Sequence, residues 1–307
     1  MPEVSVTLPI PDSPYKIYGK YREVKGAPVV VMLHGFTESM DGPLRFMFAR
    51  ILEQAGYSNF RFSFYGYEDD QRSFIDTTAQ EYADDLKYVI EYLKSKTNDS
   101  QLIVLSHSLG VFPLLIHGPR DIDAVVLWDP SNESWTTGKA PVSRTWINQL
   151  NAYRVKSGVD VLVGKALLDH LQTLQPYEMI KHFHQPKYIA AAGDGILLDS
   201  CHKYYEHSTG DKLLEIIPNA DHGFTEGDSA ELLFSKTLSW LQKVVPSPVW
   251  QCDFTTPDSG FLFRALPHDA RNNKRNGAML DDFLTHWREQ EMPCHCSHSV
   301  DSLNPWV

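Results

Sequence analysis

The sequence predicts an α/β fold in which a mostly parallel central sheet is flanked by helices. Short apolar runs of strand length alternate with longer segments whose apolar residues recur at helical spacing, as expected of βαβ units. The chain has 307 residues, which is long enough to bury one large core. Its composition, with 42% hydrophobic and 12% aromatic residues, is that of a folded globular protein.

The elements follow from the period of the apolar residues. Two early strands, Val4–Leu8 and Lys16–Tyr21, are predicted to form an antiparallel edge. Buried strands are predicted at Val29–Leu33, Phe60–Phe64, Leu102–Leu105, Ala124–Trp128, Lys187–Ala192 and Lys212–Ile217. Core helices are predicted at Pro43–Gln54, Thr78–Lys96, Val111–Ile116 and Asp228–Val245. Residues 1–245 therefore form one α/β domain.

An insertion at about residues 131–183 interrupts the alternation after the sixth core strand. It holds Trp135 and Trp146 without a clear period, and becomes helical toward its end. Because ligands bind at the carboxyl ends of the strands in open α/β sheets, we predict that this insertion is a cap over the site. The alternative is a packing excursion that does not contact substrate.

A C-terminal extension, residues 246–307, follows the predicted core and has no assigned role. Pro246–Pro248 has the composition of a linker, and Ala278–Glu291 is a plausible helix with one apolar face. That face predicts packing on the α/β domain or on a second copy of the chain, which would make a homo-oligomer. Cys294, Cys296 and His298 are metal-ligand types, but they lack a second ligand pair, so we expect a polar tail and no metal.

The segment Ser106-His107-Ser108-Leu109-Gly110 carries the clearest chemical signal. It lies between an apolar strand and an apolar helix, where the pattern G-x-S-x-G forms a sharp turn that exposes a nucleophilic serine. The turn would present Ser108 Oγ, and the Leu109 N–H would face a developing oxyanion. Ser106 stands where glycine is usual in this pattern.

Three further loops, each directly after a predicted strand, complete a catalytic set. His34-Gly35-Phe36-Thr37 would supply a second oxyanion donor from the Phe36 N–H. Asp194 follows the strand Lys187–Ala192, and His222 follows Lys212–Ile217. The order Ser, Asp, His along the chain is the one expected of α/β-hydrolases.

The identity of the acid is the open point of this set. Asp194 is favoured because the turn Gly193-Asp194-Gly195 leaves its carboxylate room to reach His222. Asp129 follows the preceding core strand and is the alternative. As the base, His222 is favoured over His107, His202 and His207 because it lies in a loop after a strand.

These motifs resemble those of the α/β-hydrolase superfamily, and within it the cinnamoyl (feruloyl) esterase-like acyl hydrolases. The resemblance covers about residues 20–245 and rests on His34-Gly35-Phe36-Thr37-Glu38, Ala55-Gly56-Tyr57, Arg61–Gly66 and the run Gln80–Leu93. It implies Ser108 as nucleophile, Asp194 as acid and His222 as base. The loop Tyr65-Gly66-Tyr67-Glu68 differs from the usual Arg-Gly-His-Gly of that group.

The predicted activity is hydrolysis of a small carboxylic ester through an acyl-enzyme on Ser108, without metal or organic cofactor. Trp135 and Trp146 would line a pocket for an aromatic or bulky acyl group, with core packing as the alternative. The same triad could cleave an amide, a thioester or a C–C bond. A hydrolase-fold protein that only binds a ligand or partner is the alternative from a different class.

The bulk numbers exclude several other classes. A net charge of −11 disfavours nucleic acid and anionic membranes as partners. No apolar run approaches the length of a membrane span, and no secretory signal is visible. Four cysteines do not suggest a disulfide framework, so a cytoplasmic location is expected.

Overall fold

The computed structural model describes residues 3–97, 100–132, 143–157 and 159–247. Trp135, most of the extension 246–307, its predicted helix Ala278–Glu291 and its Cys294, Cys296 and His298 lie outside the described residues. No helix within the described ranges has the length and apolar character that a membrane span requires.

A central eight-stranded sheet has the order β1-β2-β4-β3-β5-β6-β10-β11. Its strands are β1 Val4–Pro9, β2 Lys16–Arg22, β3 Val29–Leu33, β4 Ser58–Ser63, β5 Leu102–His107, β6 Ala124–Trp128, β10 Lys187–Ala192 and β11 Lys212–Ile217. The pairs β1–β2 and β2–β4 are antiparallel and the other pairs are parallel. The predicted α/β architecture with an antiparallel edge is confirmed.

Seven α-helices are described. They are α1 Pro43–Gln54, α2 Ala79–Lys96, α3 Val111–His117, α4 Lys165–Leu171, α5 Pro176–Met179, α6 Leu198–His207 and α7 Ser229–Val244. Pro43 starts α1, where its fixed φ and missing N–H cost nothing. Thr78 and Glu81 close a capping box at the start of α2. Gly56, with φ +80°, follows α1 in a conformation that favours glycine.

The core lies on both faces of the sheet, as the two-residue period of a strand requires. Val29, Val31 and Leu33 of β3 pack with α2 and α3 on one face. Val30 and Met32 point to the other face and pack with α1 and α7. A strand that is apolar at every position is therefore buried on both sides, which explains the continuous apolar run in its sequence.

The insertion contains a second, three-stranded antiparallel sheet of β7 Ser143–Ile147, β8 Ala152–Ser157 and β9 Val159–Gly164, followed by α4 and α5. Val155 and Val163 are buried in the same core as α2 and α3. A β-carbon added to Gly164 would lie 1.9 Å from the carbonyl oxygen of Ile75, so the insertion presses against the loop between β4 and α2. Since that loop leaves the carboxyl end of β4, this contact lies at the edge where the catalytic loops meet.

The predicted linker begins as packed structure. Ser247 is buried, and its hydroxyl donates a 2.6 Å hydrogen bond to the carbonyl oxygen of Gly56. The Tyr57 hydroxyl likewise donates to the carbonyl oxygen of Val245 at 2.9 Å. The chain after α7 is thus fixed against the end of α1 as far as Ser247.

Candidate active site

The turn after β5 places Ser108 in a strained backbone conformation. Ser108 has φ +53°, and a short 3₁₀ turn, Ser108–Gly110, joins β5 to α3. A β-carbon on Gly110 would lie 2.8 Å from the carbonyl oxygen of His34, so only glycine allows α3 to start this close to β3. Such strain is found where a side chain must be held in one orientation. The small residues of the motif therefore serve the close approach of backbones around Ser108.

A continuous hydrogen-bonded chain links Ser108, His222 and Asp129. Ser108 Oγ and His222 Nε2 are 2.9 Å apart, which lets the hydroxyl donate to the imidazole. His222 Nδ1 and Asp129 Oδ2 are 2.5 Å apart, which lets the ring N–H donate to the carboxylate. Asp129 is fully buried, whereas 37% of the His222 side chain is exposed. The structure thus brings the predicted serine and histidine together, with a different acid.

The prediction of Asp194 as the acid is wrong. Asp194 is exposed in the turn after β10, where its backbone N–H donates to the carbonyl oxygen of Ala220 at 3.0 Å. Asp129 ends β6 with φ +39°, which directs its carboxylate along the sheet edge to His222. The glycines beside Asp194 serve close packing: a β-carbon on Gly193 would lie 2.8 Å from the carbonyl oxygen of Ile217, and one on Gly195 would lie 2.7 Å from Ala192 Cβ.

The buried carboxylate of Asp129 is held by β10 and α6. Its Oδ1 accepts a hydrogen bond from the backbone N–H of Ala192 at 3.1 Å. The Cys201 thiol donates to the same oxygen at 3.4 Å. Burial, followed by the nearby charge of Asp129, raises the pKa of this thiol well above its ordinary value. Cys201 is therefore a protonated donor to the acid.

The loop after β3 lies against Ser108. A β-carbon on Gly35 would lie 3.1 Å from Ser108 Cβ, so this loop approaches the serine as closely as glycine permits. Phe36 is the next residue of the loop, and Leu109 is the second residue of the 3₁₀ turn. The first N–H groups of such a turn are not needed for its own hydrogen bonds. Donation from Phe36 and Leu109 to an oxyanion stays a prediction that this placement favours.

His34 holds the loop after β3 in place through two hydrogen bonds to the backbone. Its Nδ1–H donates to the carbonyl oxygen of Gly35 at 2.8 Å, and its Nε2 accepts from the N–H of Phe64 at 3.1 Å. Burial, and then the charge of Arg45, lowers the pKa of His34 to about 4. The neutral ring is therefore built into the fold, with one nitrogen as donor and the other as acceptor.

The family model described as Serine aminopeptidase, S33 matches residues 25–179, a little over half of the chain. The chain belongs to this family. A second model, described as PhoPQ-activated pathogenicity-related protein, matches residues 142–265. Among curated proteins, none matches the chain at a significant level of sequence similarity.

Solved structures similar to this S33 family member include esterases and other hydrolases. Est1E from Butyrivibrio proteoclasticus with ferulic acid bound is 14% identical, with a TM-score of 0.66 over 75% of this chain and 96% of that one. The esterase domain of a Rhodothermus marinus protein is 16% identical, with a TM-score of 0.63 over 80% and 100% of the two chains. Pyrococcus furiosus esterase Pf2001 is 16% identical, with a TM-score of 0.61 over 80% and 93%. These likenesses confirm the α/β-hydrolase fold.

The predicted substrate-binding tryptophans are not joined to the triad by a described contact. Trp146 lies on β7 of the insertion, 39% exposed, and its ring packs 4.9 Å from the ring of Tyr153. Trp135 is outside the described residues. Trp128, the last residue of β6, belongs to the core: it is fully buried, and its indole N–H donates to Thr237 Oγ1 at 3.0 Å. A substrate contact from Trp135 or Trp146 stays a prediction.

Two polar groups beside the triad were not predicted from the sequence. Ser131 Oγ lies 3.4 Å from Ser108 Oγ, and the Ser131 N–H donates to the Ser108 carbonyl at 3.1 Å. Glu38 and His107 form a second polar cluster, in which His107 Nδ1 and Glu38 Oε2 are 3.1 Å apart. Glu38 is the last residue of the sequence motif His34–Glu38, and its place in that motif was the only sequence signal for this cluster. Within the described ranges, no group of three or more metal-ligand side chains is assembled.

Proposed function

We propose that this protein is a serine-dependent carboxylic ester hydrolase that works through an acyl-enzyme on Ser108. The main support for this proposal is the chain of hydrogen bonds from Ser108 Oγ to His222 and on to Asp129, at 2.9 Å and 2.5 Å. A serine hydroxyl is a weak nucleophile at neutral pH, and a base at this distance is what it needs. The positive φ of Ser108 supports the same role.

The proposed reaction has two halves. Ser108 Oγ attacks the ester carbonyl carbon and gives its proton to His222 Nε2, while Asp129 stabilises the imidazolium. The oxyanion accepts hydrogen bonds from the backbone N–H groups of Phe36 and Leu109. As the tetrahedral intermediate collapses, its C–O bond breaks and His222 protonates the leaving alcohol. A water, deprotonated by His222, then attacks the acyl carbon. The bond from that carbon to Ser108 Oγ breaks, His222 returns its proton to Ser108, and the carboxylic acid leaves.

An aromatic or bulky acyl group is the proposed substrate class. An aromatic cluster borders the oxyanion loop: the rings of Phe36 and Phe74 are 5.4 Å apart, and Phe74 stacks on Tyr65 at 4.0 Å. Such rings supply apolar area with a preferred stacking geometry. The structural likeness to Est1E, solved with ferulic acid, supports the same class.

The buried free Cys201 fits a reducing, cytoplasmic location.

Labelling with a fluorophosphonate probe tests the nucleophile. We expect the wild-type chain to be labelled at Ser108, and Ser108→Ala to lose labelling and to lower kcat by about three orders of magnitude while circular dichroism stays unchanged. A folded wild-type chain that neither reacts with the probe nor hydrolyses any ester would overturn the proposal and favour a binding protein.

A panel of matched substrates tests which type of bond the enzyme cleaves. Hydroxycinnamate and p-nitrophenyl esters are compared with an amide and a thioester of the same acyl group. We expect the esters to have the highest kcat/KM. A higher kcat/KM for the amide would replace the ester assignment with an amidase that uses the same triad.

A further inference from the structure

His107 lies between two hydrogen-bond acceptors. Its Nδ1 is 3.1 Å from Glu38 Oε2, and its Nε2 is 3.1 Å from the carbonyl oxygen of His222. A carbonyl oxygen can only accept, so Nε2 carries a proton. An ionised carboxylate can also only accept, so Nδ1 carries a second proton. Because a ring with two N–H groups is an imidazolium, these contacts require a cationic His107.

The neighbours of Glu38 keep it ionised. Its Oε2 also accepts the N–H of Gly35 at 2.8 Å. Its Oε1 lies 3.0 Å from Nη2 of the fully buried Arg45, as an ion pair rather than an aligned hydrogen bond. Burial alone would raise the pKa of Glu38, but His107 and Arg45 hold it far below its ordinary value. Glu38 therefore acts as the fixed anion that His107 requires.

The cluster joins the two loops that the reaction must hold in place. Through Glu38 it holds the oxyanion loop at Gly35, and through the backbone carbonyl it holds the loop that carries His222. The rings of His107 and His222 are also stacked, with centroids 5.2 Å apart and planes at 28°. His107 therefore contacts the His222 loop through the backbone carbonyl and through the ring.

We propose that His107 is a cationic positioning residue, which ties the oxyanion loop to the His222 loop. This inference rests on the proposed function of Ser108 and His222. The other charged or titratable groups near His107 are His34 and Arg45 beside Glu38, and Asp129 on the far side of His222. His34 is neutral, so Arg45, Glu38 and Asp129 set the local charge.

The charge of His107 is read directly by nitrogen NMR. The wild-type chain labelled with ¹⁵N-histidine is compared with His107→Gln to assign the signal, at pH 7.5. We expect both ring nitrogens of His107 to carry protons. A neutral His107, with one unprotonated nitrogen, would overturn the proposal. This measurement uses no substrate, so its result does not depend on the proposed hydrolysis.

The positioning role is read from kcat and KM, measured separately on a p-nitrophenyl ester at pH 7.5. In His107→Gln the amide can donate to only one of the two acceptors. We expect kcat to fall about tenfold or more and KM to change less than about twofold, because the two loops are then held by one hydrogen bond fewer. His202→Gln, at an exposed position on α6, is the matched control and should keep the wild-type kcat and KM.

A double-mutant cycle separates a shared role from two unrelated effects. If His107 acts through Glu38, His107→Gln should lower kcat much less in a Glu38→Gln background than in the wild type. Additive losses of kcat, or an unchanged kcat in His107→Gln, would overturn the positioning role. Fluorophosphonate labelling of the wild type is measured in parallel, so a failure of Ser108 chemistry is distinguished from a failure of this inference.

Discussion

Replacement of Asp129 by Asn is the sharpest test of the triad geometry. The amide can still accept the N–H of Ala192 at 3.1 Å, so the local fold should survive. Its Nδ2 would donate to His222 Nδ1, which places the ring proton on Nε2. His222 could then no longer accept the proton of Ser108, and no carboxylate would stabilise the imidazolium.

The expected magnitude follows from the contact. Two unit charges 2.5 Å apart attract by about 7 kcal/mol at an effective dielectric constant of about 20. Because each charge is spread over two atoms of Asp129 and of His222, we reduce this to about 5 kcal/mol. At about 1.36 kcal/mol for each factor of ten, kcat should fall by about four orders of magnitude. Removal of the exposed Asp194 carboxylate should change kcat less than about twofold.

The assay is steady-state hydrolysis of a p-nitrophenyl ester by Asp129→Asn and Asp194→Asn, with thermal unfolding measured for both. Asp194→Asn is the matched control, since it makes the same chemical change in the neighbouring loop. If Asp194→Asn lost more activity than Asp129→Asn in folded protein, the assignment of the acid from the geometry would be refuted.

Three further results are expected. The free energy of unfolding should fall by about 3 kcal/mol as the pH falls from 6.5 to 4, because the unfolded chain takes up a proton that the folded His34, with a pKa of about 4, excludes. In urea titrations, His34→Gln should reduce this dependence of the free energy of unfolding on pH. The same pH dependence in the variant and the wild type would contradict the prediction. Trp146→Ala should alter the ranking of acyl groups with little loss of stability, as measured by kcat/KM over an ester series, and an unchanged ranking would argue against a cap that contacts the acyl group. Truncation after Ser247, which keeps its bond to Gly56, should leave kcat intact; lost activity in a folded truncated chain would show that the extension contributes to the site.

Local sequence patterns were sufficient for the elements of the sheet and its helices. Pro43–Gln54 is bounded by a proline and followed by Gly56, so its limits were predicted as observed. The small sheet β7–β9 was missed because its three strands lie in the insertion, with exposed as well as buried side chains. The sequence of that region contains no strong turn signal between β7 and β8, where a 3₁₀ turn, Asn148–Leu150, makes the connection.

The acid could not be chosen from the sequence for a related reason. Asp129 and Asp194 each follow a buried strand, and both were plausible on spacing. The choice depends on the backbone angle at the strand end, where Asp129 adopts φ +39° while Asp194 is carried into solvent by its glycine-flanked turn. No pattern in the residues reports that angle. Ser131 and the pair Glu38–His107 were missed because they are brought together only by the packing of three separate loops.

The place of His222 in the loop after the edge strand β11 has a consequence for inactivation. In the described part of the sheet, β11 pairs only with β10 and stands at the edge. His222 is separated from Ser108 by 114 residues and from Asp129 by 93, so the working site exists only after segments far apart in the chain have met. Such long-range contacts form late in folding, and edge elements open before the core does. Heating should therefore abolish activity while the central strands are still folded, and recovered activity should report the last step of refolding.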